Sequence, residues 1–90
     1  MLEFEWDPAK ARINERKHGI SFEEATTVFA DALSLTVPDE SHSYKEHRFV
    51  TIGESHFGNL IVVIHVDRGS RIRIISARRA TRRERGQYQD

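Results

Sequence analysis

The chain has 90 residues, 38% hydrophobic and 31% charged, with 14 Lys+Arg against 14 Asp+Glu and no cysteine. These totals fit one small folded domain and exclude a disordered chain, a disulfide scaffold and thiolate metal sites. The longest apolar run, LIVVI at 60–64, is too short to span a bilayer, and MLEFEWDP lacks a signal-peptide pattern, so a cytoplasmic protein is expected.

Residues 2–6, LEFEW, alternate as a short strand, with Leu2, Phe4 and Trp6 on one face. Asp7-Pro8 then caps and opens a helix over 8–18, with Ala9 and Ile13 as a narrow apolar stripe and Gly19 as its left-handed stop. Ser21 and Glu24 have capping-box spacing and begin a second helix, whose Phe22, Ala25, Val28 and Phe29 share a face. A strand is expected at 33–37, a polar loop at 38–44 and a strand at 46–55, where Gly53 weakens the end. Leu60 to Val66 is apolar on both faces and reads as a central strand. After a turn at 67–70, residues 71–77 alternate again. Ile72, Ile74 and Ser76 face one way, and Arg78 continues their row; Arg71 and Arg73 face the other. Thr81 and Glu84 form a second capping box that opens a helix of about two turns. Short turns between successive strands predict an antiparallel meander. The expected architecture is one α+β domain over 1–90, in the order β-α-α-β-β-β-β-α, its sheet packed by the two N-terminal helices.

The charge balance conceals an asymmetry. Arg68 to Arg85 holds eight arginines and one acid, Glu84, whereas residues 1–67 carry six Lys/Arg and twelve Asp/Glu. Such polarity points to an anionic partner, or more simply to a solvated arginine face. Arg82 and Arg83 stand in the first turn of the last helix, where the macrodipole disfavours cations. That conflict is relieved if a phosphate binds at the helix N-terminus. Arg48 shares a strand face with Glu46, Val50 and Ile52, either as a plain surface pair or as a Glu–Arg pair at the edge of a concave site. His42 and His47 do not make a metal motif. His65 shares a face with Ile61 and Val63 and reads as a core histidine, whereas His18 is a helix-end cation, a base or a phosphate contact.

Three segments together, DPAKARINERKHGISFEEATTVF, HSYKEHRFVTIGES and RIRIISARRATRRER, resemble the BrnT family of bacterial type II toxins over nearly the whole chain. One departure is Ala32, after VFAD, where the family commonly has proline. The resemblance implies a RelE-like fold and a ribonuclease that arrests translation without metal or cofactor. It also implies a BrnA-type DNA-binding antitoxin in a 2:2 heterotetramer, through which the complex would reach operator DNA and repress its own operon.

Metal-free RNA cleavage needs a base for the 2′-OH, cations for the phosphate and an acid for the 5′ oxygen. The substrate supplies its own nucleophile. Base and acid remain open among Lys17, His18, Glu46, His47 and Tyr88. The assignment is Arg48 and Arg78 on the scissile phosphate, Glu46 or His18 in proton transfer, and Lys17, Arg73, Arg79 and Arg82 on the RNA backbone; for Lys17, His18, Glu46, Arg48 and Arg78 it rests on motif position. Ser76, Thr81 and Glu84 match the motifs and serve equally well as strand-end and cap residues. The competing functions are a nucleic-acid-binding module without catalysis and a protein-interaction module that receives an acidic antitoxin segment.

Overall fold

Local chemistry sets the ends of most elements. The computed structural model describes residues 2–40 and 46–89; most of the expected 38–44 loop, and His42, lie outside them. The chain runs β1 (Glu3–Glu5), α1 (Pro8–His18), α2 (Phe22–Thr26), a 3-10 turn (Thr27–Ala30), β2 (Leu35–Pro38), β3 (Arg48–Glu54), β4 (Leu60–Arg68), β5 (Arg71–Arg79) and α3 (Arg82–Gln89). Asp7 Oδ1 accepts from the Ala9 amide at 2.8 Å, and Gly19, at φ 72°, closes α1 with its own amide on the Glu15 carbonyl. Ser21 Oγ accepts from the Glu24 amide at 3.0 Å. The reciprocal half of that capping box is absent. The Glu24 carboxylate turns inward instead and accepts from Ser55 Oγ and Asn59 Nδ2, both at 2.7 Å. Two inward donors from one turn outcompete a single exposed amide.

The sheet order is β1-β5-β4-β3-β2. Strands β2 to β5 pair antiparallel in sequence, but β1 lies parallel to β5, with Phe4 opposite Ile72. The sheet is therefore mixed, not a purely antiparallel meander. Short turns force antiparallel neighbours only where they occur, and β1 reaches the sheet through two helices, which permit either direction. Those helices cover one face. Ile20, Phe22, Ala25 and Val28 pack there on Ile61, Val63, Ile74 and Ala77, with Phe4, Trp6, Ala11 and Phe29 at the margin. Fully burying one such side chain contributes about 1.5–3 kcal/mol.

Two features were not expected from periodicity. The first is a β-bulge: Ile64 pairs with Ser76 but His65 pairs with Ile74, which leaves Ile75 as the extra residue. Beyond it the faces exchange. Ala77 takes the core side with Ile74, while Ser76 and Arg78 turn off the core side of the sheet. Arg78 thus leaves the Ile72–Ile74 row that simple alternation assigned to it. The second is the inner face of α1. Ala9 and Ile13 are exposed; the inward row is Ala11, Asn14 and His18, with Asn14 buried. The Asn14 amide donates to the carbonyls of Ala77 (2.8 Å) and Ile20 (3.0 Å) and accepts from the Ala77 amide (3.1 Å). It takes the place of a neighbouring strand on the edge of β5 beyond the reach of β1.

Gly53, next to the last residue of β3, is buried and paired with Ile61 instead of fraying. A Cβ there would lie 2.7 Å from Val28 Cγ1 and 3.0 Å from Ser34 Cβ, so the 3-10 turn seats directly on the β3 backbone. Gly53→Ala should destabilise the chain by about 1–3 kcal/mol through overpacking, read as a lower urea midpoint.

His65 is buried as the sequence suggests, at 1% exposure. Its Nε2 meets Thr51 Oγ1 at 2.7 Å and its Nδ1 meets Asp67 Oδ1 at 2.8 Å, while Thr51 also meets Thr36 at 2.7 Å. Burial pushes its pKa below the ordinary 6.5 despite the Asp67 carboxylate. A depressed histidine means that the unfolded chain binds the proton more tightly. This contribution is therefore whole above pH 6.5 and is lost as pH falls below it. Urea midpoints measured from pH 8 to 5 should fall in the parent chain more steeply than in His65→Gln.

Candidate functional site

Where α1 passes the bulged half of β5, the two elements leave a groove of about 230 Å³. Lys10, Ile13, Asn14, Lys17 and His18 line it from α1, and Ile75 and Ser76 from β5. Lys17 and His18 thus share a groove with Ser76, far from them in sequence. Lys17 and His18 occupy the last turn of α1, where the helix dipole favours positive charge. The bulge turns Ser76 away from the core, and the Asn14 amide fixes the helix against the strand beside it.

Two residues beyond Ser76, next to the last residue of β5, the Arg78 side chain meets Glu84. Its Nη1 and Nη2 donate to the two carboxylate oxygens at 2.8 and 2.9 Å, and Nη1 also reaches the Arg79 carbonyl at 3.3 Å. Glu84 Oε1 accepts from the Thr81 amide at 2.8 Å while Thr81 Oγ1 accepts from the Glu84 amide, so this capping box is complete. The anion expected at the start of the last helix is therefore supplied by the chain itself. The Arg78 hydrogen bonds, chiefly, hold the Glu84 carboxyl down at about 2, and Glu84 in turn raises Arg78. A guanidinium has five N–H donors, so Arg78 Nε–H and the second Nη2–H have no acceptor among the described residues. The far end of α3 is held by Tyr88, whose hydroxyl donates to Asp31 Oδ2 at 2.6 Å. That bond pushes Tyr88 up to about 12, while Asp31 is lowered, first by the Glu54 amide and then by Tyr88.

The other expected residues lie elsewhere. Glu46 precedes β3 and does not share a strand face with Arg48; its carboxylate takes Arg68 Nη2 at 2.7 Å and Nε at 3.1 Å. Arg68 and Arg73 also approach Glu5, at 3.8 and 3.9 Å. Arg48 does lie on the same sheet face as Arg78, but it pairs with Val66 and Arg78 with Val62. That register separates them by about 13 Å along the strands and about 10 Å across. One phosphate cannot sit between them without the long side chains reaching across the sheet. Arg79 is at the end of β5 and donates to Asn59 Oδ1 at 2.8 Å; Arg82 and Arg83 are exposed in the first turn of α3. Among the described residues, Arg68, Arg73 and Arg78 meet the chain's own carboxylates, which accounts for part of the charge asymmetry without any partner.

Two residues of this region escaped the sequence reading. Asn14 was hidden because a polar side chain breaks an apolar stripe, although the 3–4 spacing of Ala11, Asn14 and His18 marks its row. Glu24 was hidden behind its capping-box position. The Arg78–Glu84 pair yields a direct test. The Glu84 carboxyl should titrate by NMR near about 2 in the parent chain and move up toward 4.5 in Arg78→Ala. Because a depressed carboxyl stabilises above its unfolded value, the attachment of α3 should weaken only as pH falls from about 4.5 toward 2.

Comparison with known proteins agrees with this architecture. A search of curated proteins finds no match. The crystal structure of the Brucella abortus ribonuclease toxin, BrnT, superposes with a TM-score of 0.70 at 26% identity, covering 91% of this chain and all of that one. The family model described as the ribonuclease toxin, BrnT, of type II toxin–antitoxin systems matches residues 6–84, from Trp6 through the Arg78–Glu84 pair. The chain belongs to that family of ribonuclease toxins.

Proposed function

We propose that this RelE-like domain cleaves RNA by attack of the substrate's own 2′-OH, without a metal, and that the reacting phosphate lies between the α1–β5 groove and Arg78. The observation that carries this reading is the meeting of Lys17, His18 and Ser76 in one groove, with Arg78 two residues further along the same strand. His18 takes the 2′-OH proton as the 2′ oxygen bonds to phosphorus, the P–O5′ bond breaks and the 5′ oxygen takes a proton from solvent, while Lys17 neutralises the phosphate and Arg78 stabilises the charge that develops on it. Glu84 keeps the guanidinium in place. Arg79 and Arg82 hold neighbouring phosphates, and Arg48 a more distant one. Glu46 and Arg73 serve the surface ion pairs around Arg68 and Glu5 and have no part in proton transfer.

As a toxin of a type II system, the chain would arrest translation and be neutralised by a BrnA-type antitoxin that covers the arginine face. A 2:2 complex repressing its own operon through the antitoxin's DNA-binding domain completes this reading.

The test is cleavage of total RNA by the purified chain in low salt with EDTA. The parent chain should cut and leave 2′,3′-cyclic phosphate ends. Arg78→Ala should lose about 10²-fold or more in rate while keeping much of its RNA binding, and His18→Ala should lose about 10²–10⁴-fold. Glu46→Ala should cut like the parent. Products with 5′-phosphate ends would refute attack by the 2′-OH, and equal loss of binding and cleavage in Arg78→Ala would refute its catalytic role.

A further inference from the structure

The turn between β3 and β4 displays an aromatic side chain that the fold does not use. Phe57 is 69% exposed, although Phe22 is wholly buried. Its ring lies beside that of His56, with centroids 4.1 Å apart and planes at 41°. Exposing a phenylalanine forgoes its burial energy, and a loosely held loop could simply fold it inward. This turn is firmly held. The Ser55 amide donates to the Asn59 carbonyl at 2.8 Å and the Gly58 amide to the Ser55 carbonyl at 2.9 Å. Ser55 Oγ accepts from the amides of Phe57 and Asn59, and the His56 amide donates to Thr27 Oγ1 at 3.1 Å. Beneath them, Ser55 and Asn59 both donate to the buried Glu24 carboxylate. The same Asn59 accepts from the guanidinium of exposed Arg79 at 2.8 Å. One hydrogen-bonded unit therefore presents an open aromatic ring and a cation together, at the end of the sheet that also carries Arg78 and the start of α3.

We propose that this turn is a nucleobase platform: a base of single-stranded RNA stacks on the exposed face of Phe57, and Arg79 meets a phosphate of the same or the adjoining nucleotide. The proposal rests on RNA being the substrate, as argued above, and adds a subsite outside the reacting groove. An aromatic face beside a cation suits single-stranded nucleic acid because every base has a π-face and every linkage a charge. A protein-docking surface fits less well. The residues tied into the turn beside the ring, His56, Gly58, Asn59 and Arg79, are polar or lack a side chain, unlike an apolar interface core. The platform gives a bound strand its register relative to Arg78 and tolerates any base, with purines favoured by their larger stacking area.

The experiment uses the full chain and a 5′-labelled octaribonucleotide made uncleavable by 2′-O-methylation, read by fluorescence anisotropy. Phe57→Ala should weaken binding by about fivefold or more, the alanine cost of one stacked base, while Phe57→Tyr keeps most of the parent affinity. Phe57 is exposed, so its substitution leaves the urea midpoint unchanged. Octamers carrying a single abasic position should bind the parent more weakly at one register and bind Phe57→Ala no more weakly than the intact octamer does. Parent-like binding by Phe57→Ala overturns the platform, and it does so in favour of a protein-docking role if the same substitution weakens binding of the antitoxin. In that case cleavage by the parent and its loss in Arg78→Ala would leave the ribonuclease reading intact. Failure of the parent chain to bind any octamer would overturn both.

Discussion

The side-chain amide of Asn14 is the tie on which the candidate site depends. It satisfies both backbone groups of Ala77 and the carbonyl of Ile20. Three segments far apart in sequence are thereby fixed at one point: α1, the link into α2, and β5. Removing that amide would leave buried N–H and C=O groups without partners, at about 1–3 kcal/mol each. It would also free the end of α1 that carries Lys17 and His18. The β-bulge at Ile75 acts beside it. Together they make an irregular strand edge, where a helix can stand close and leave a groove instead of a continuous ladder.

Electrostatics follow a similar pattern of internal satisfaction. The arginine-rich segment begins by meeting the chain's own acids, Glu5 and Glu46 at the β4–β5 hairpin end and Glu84 at the other. The exposed pairs at the hairpin end contribute little to stability. The Arg78–Glu84 pair differs in geometry. It is bidentate, part-buried and closed by a capping box, so the chain itself sets the guanidinium plane. An arginine ordered in this way loses less entropy when it meets a phosphate than one that must leave solvent disorder.

Much of the architecture was legible in the sequence because local chemistry determined it. Asp7-Pro8 and Gly19 bound α1, Ser21 starts α2, Thr81 and Glu84 start α3, and the apolar run from Leu60 marks the central strand. What remained hidden depends on contacts between distant segments. No local pattern distinguishes β1 beside β5 from other pairings. A one-residue bulge is invisible to alternation, which is why Arg78 was placed on the wrong face. Glu46 and Arg48 looked like partners from their spacing until the strand was seen to begin at Arg48 and Arg68 to approach from the neighbouring hairpin. The motifs contain Lys17, His18, Ser76 and Arg78 but give no sign that the first three line one groove while Glu84 of α3 holds Arg78.

The parallel pairing of β1 with β5 also governs the order in which the molecule comes into being. Residues 3–5 wait for residues 71–73, and Asn14 waits for Ala77. Contacts of such long sequence separation form late and close slowly. A nascent chain can make its helices and its first hairpins, yet until β5 has emerged Lys17 and His18 have no strand to face and Arg78 does not exist. The α1–β5 groove is thus absent from partly synthesised chains, and the Arg78–Glu84 pair closes only when the last helix has emerged.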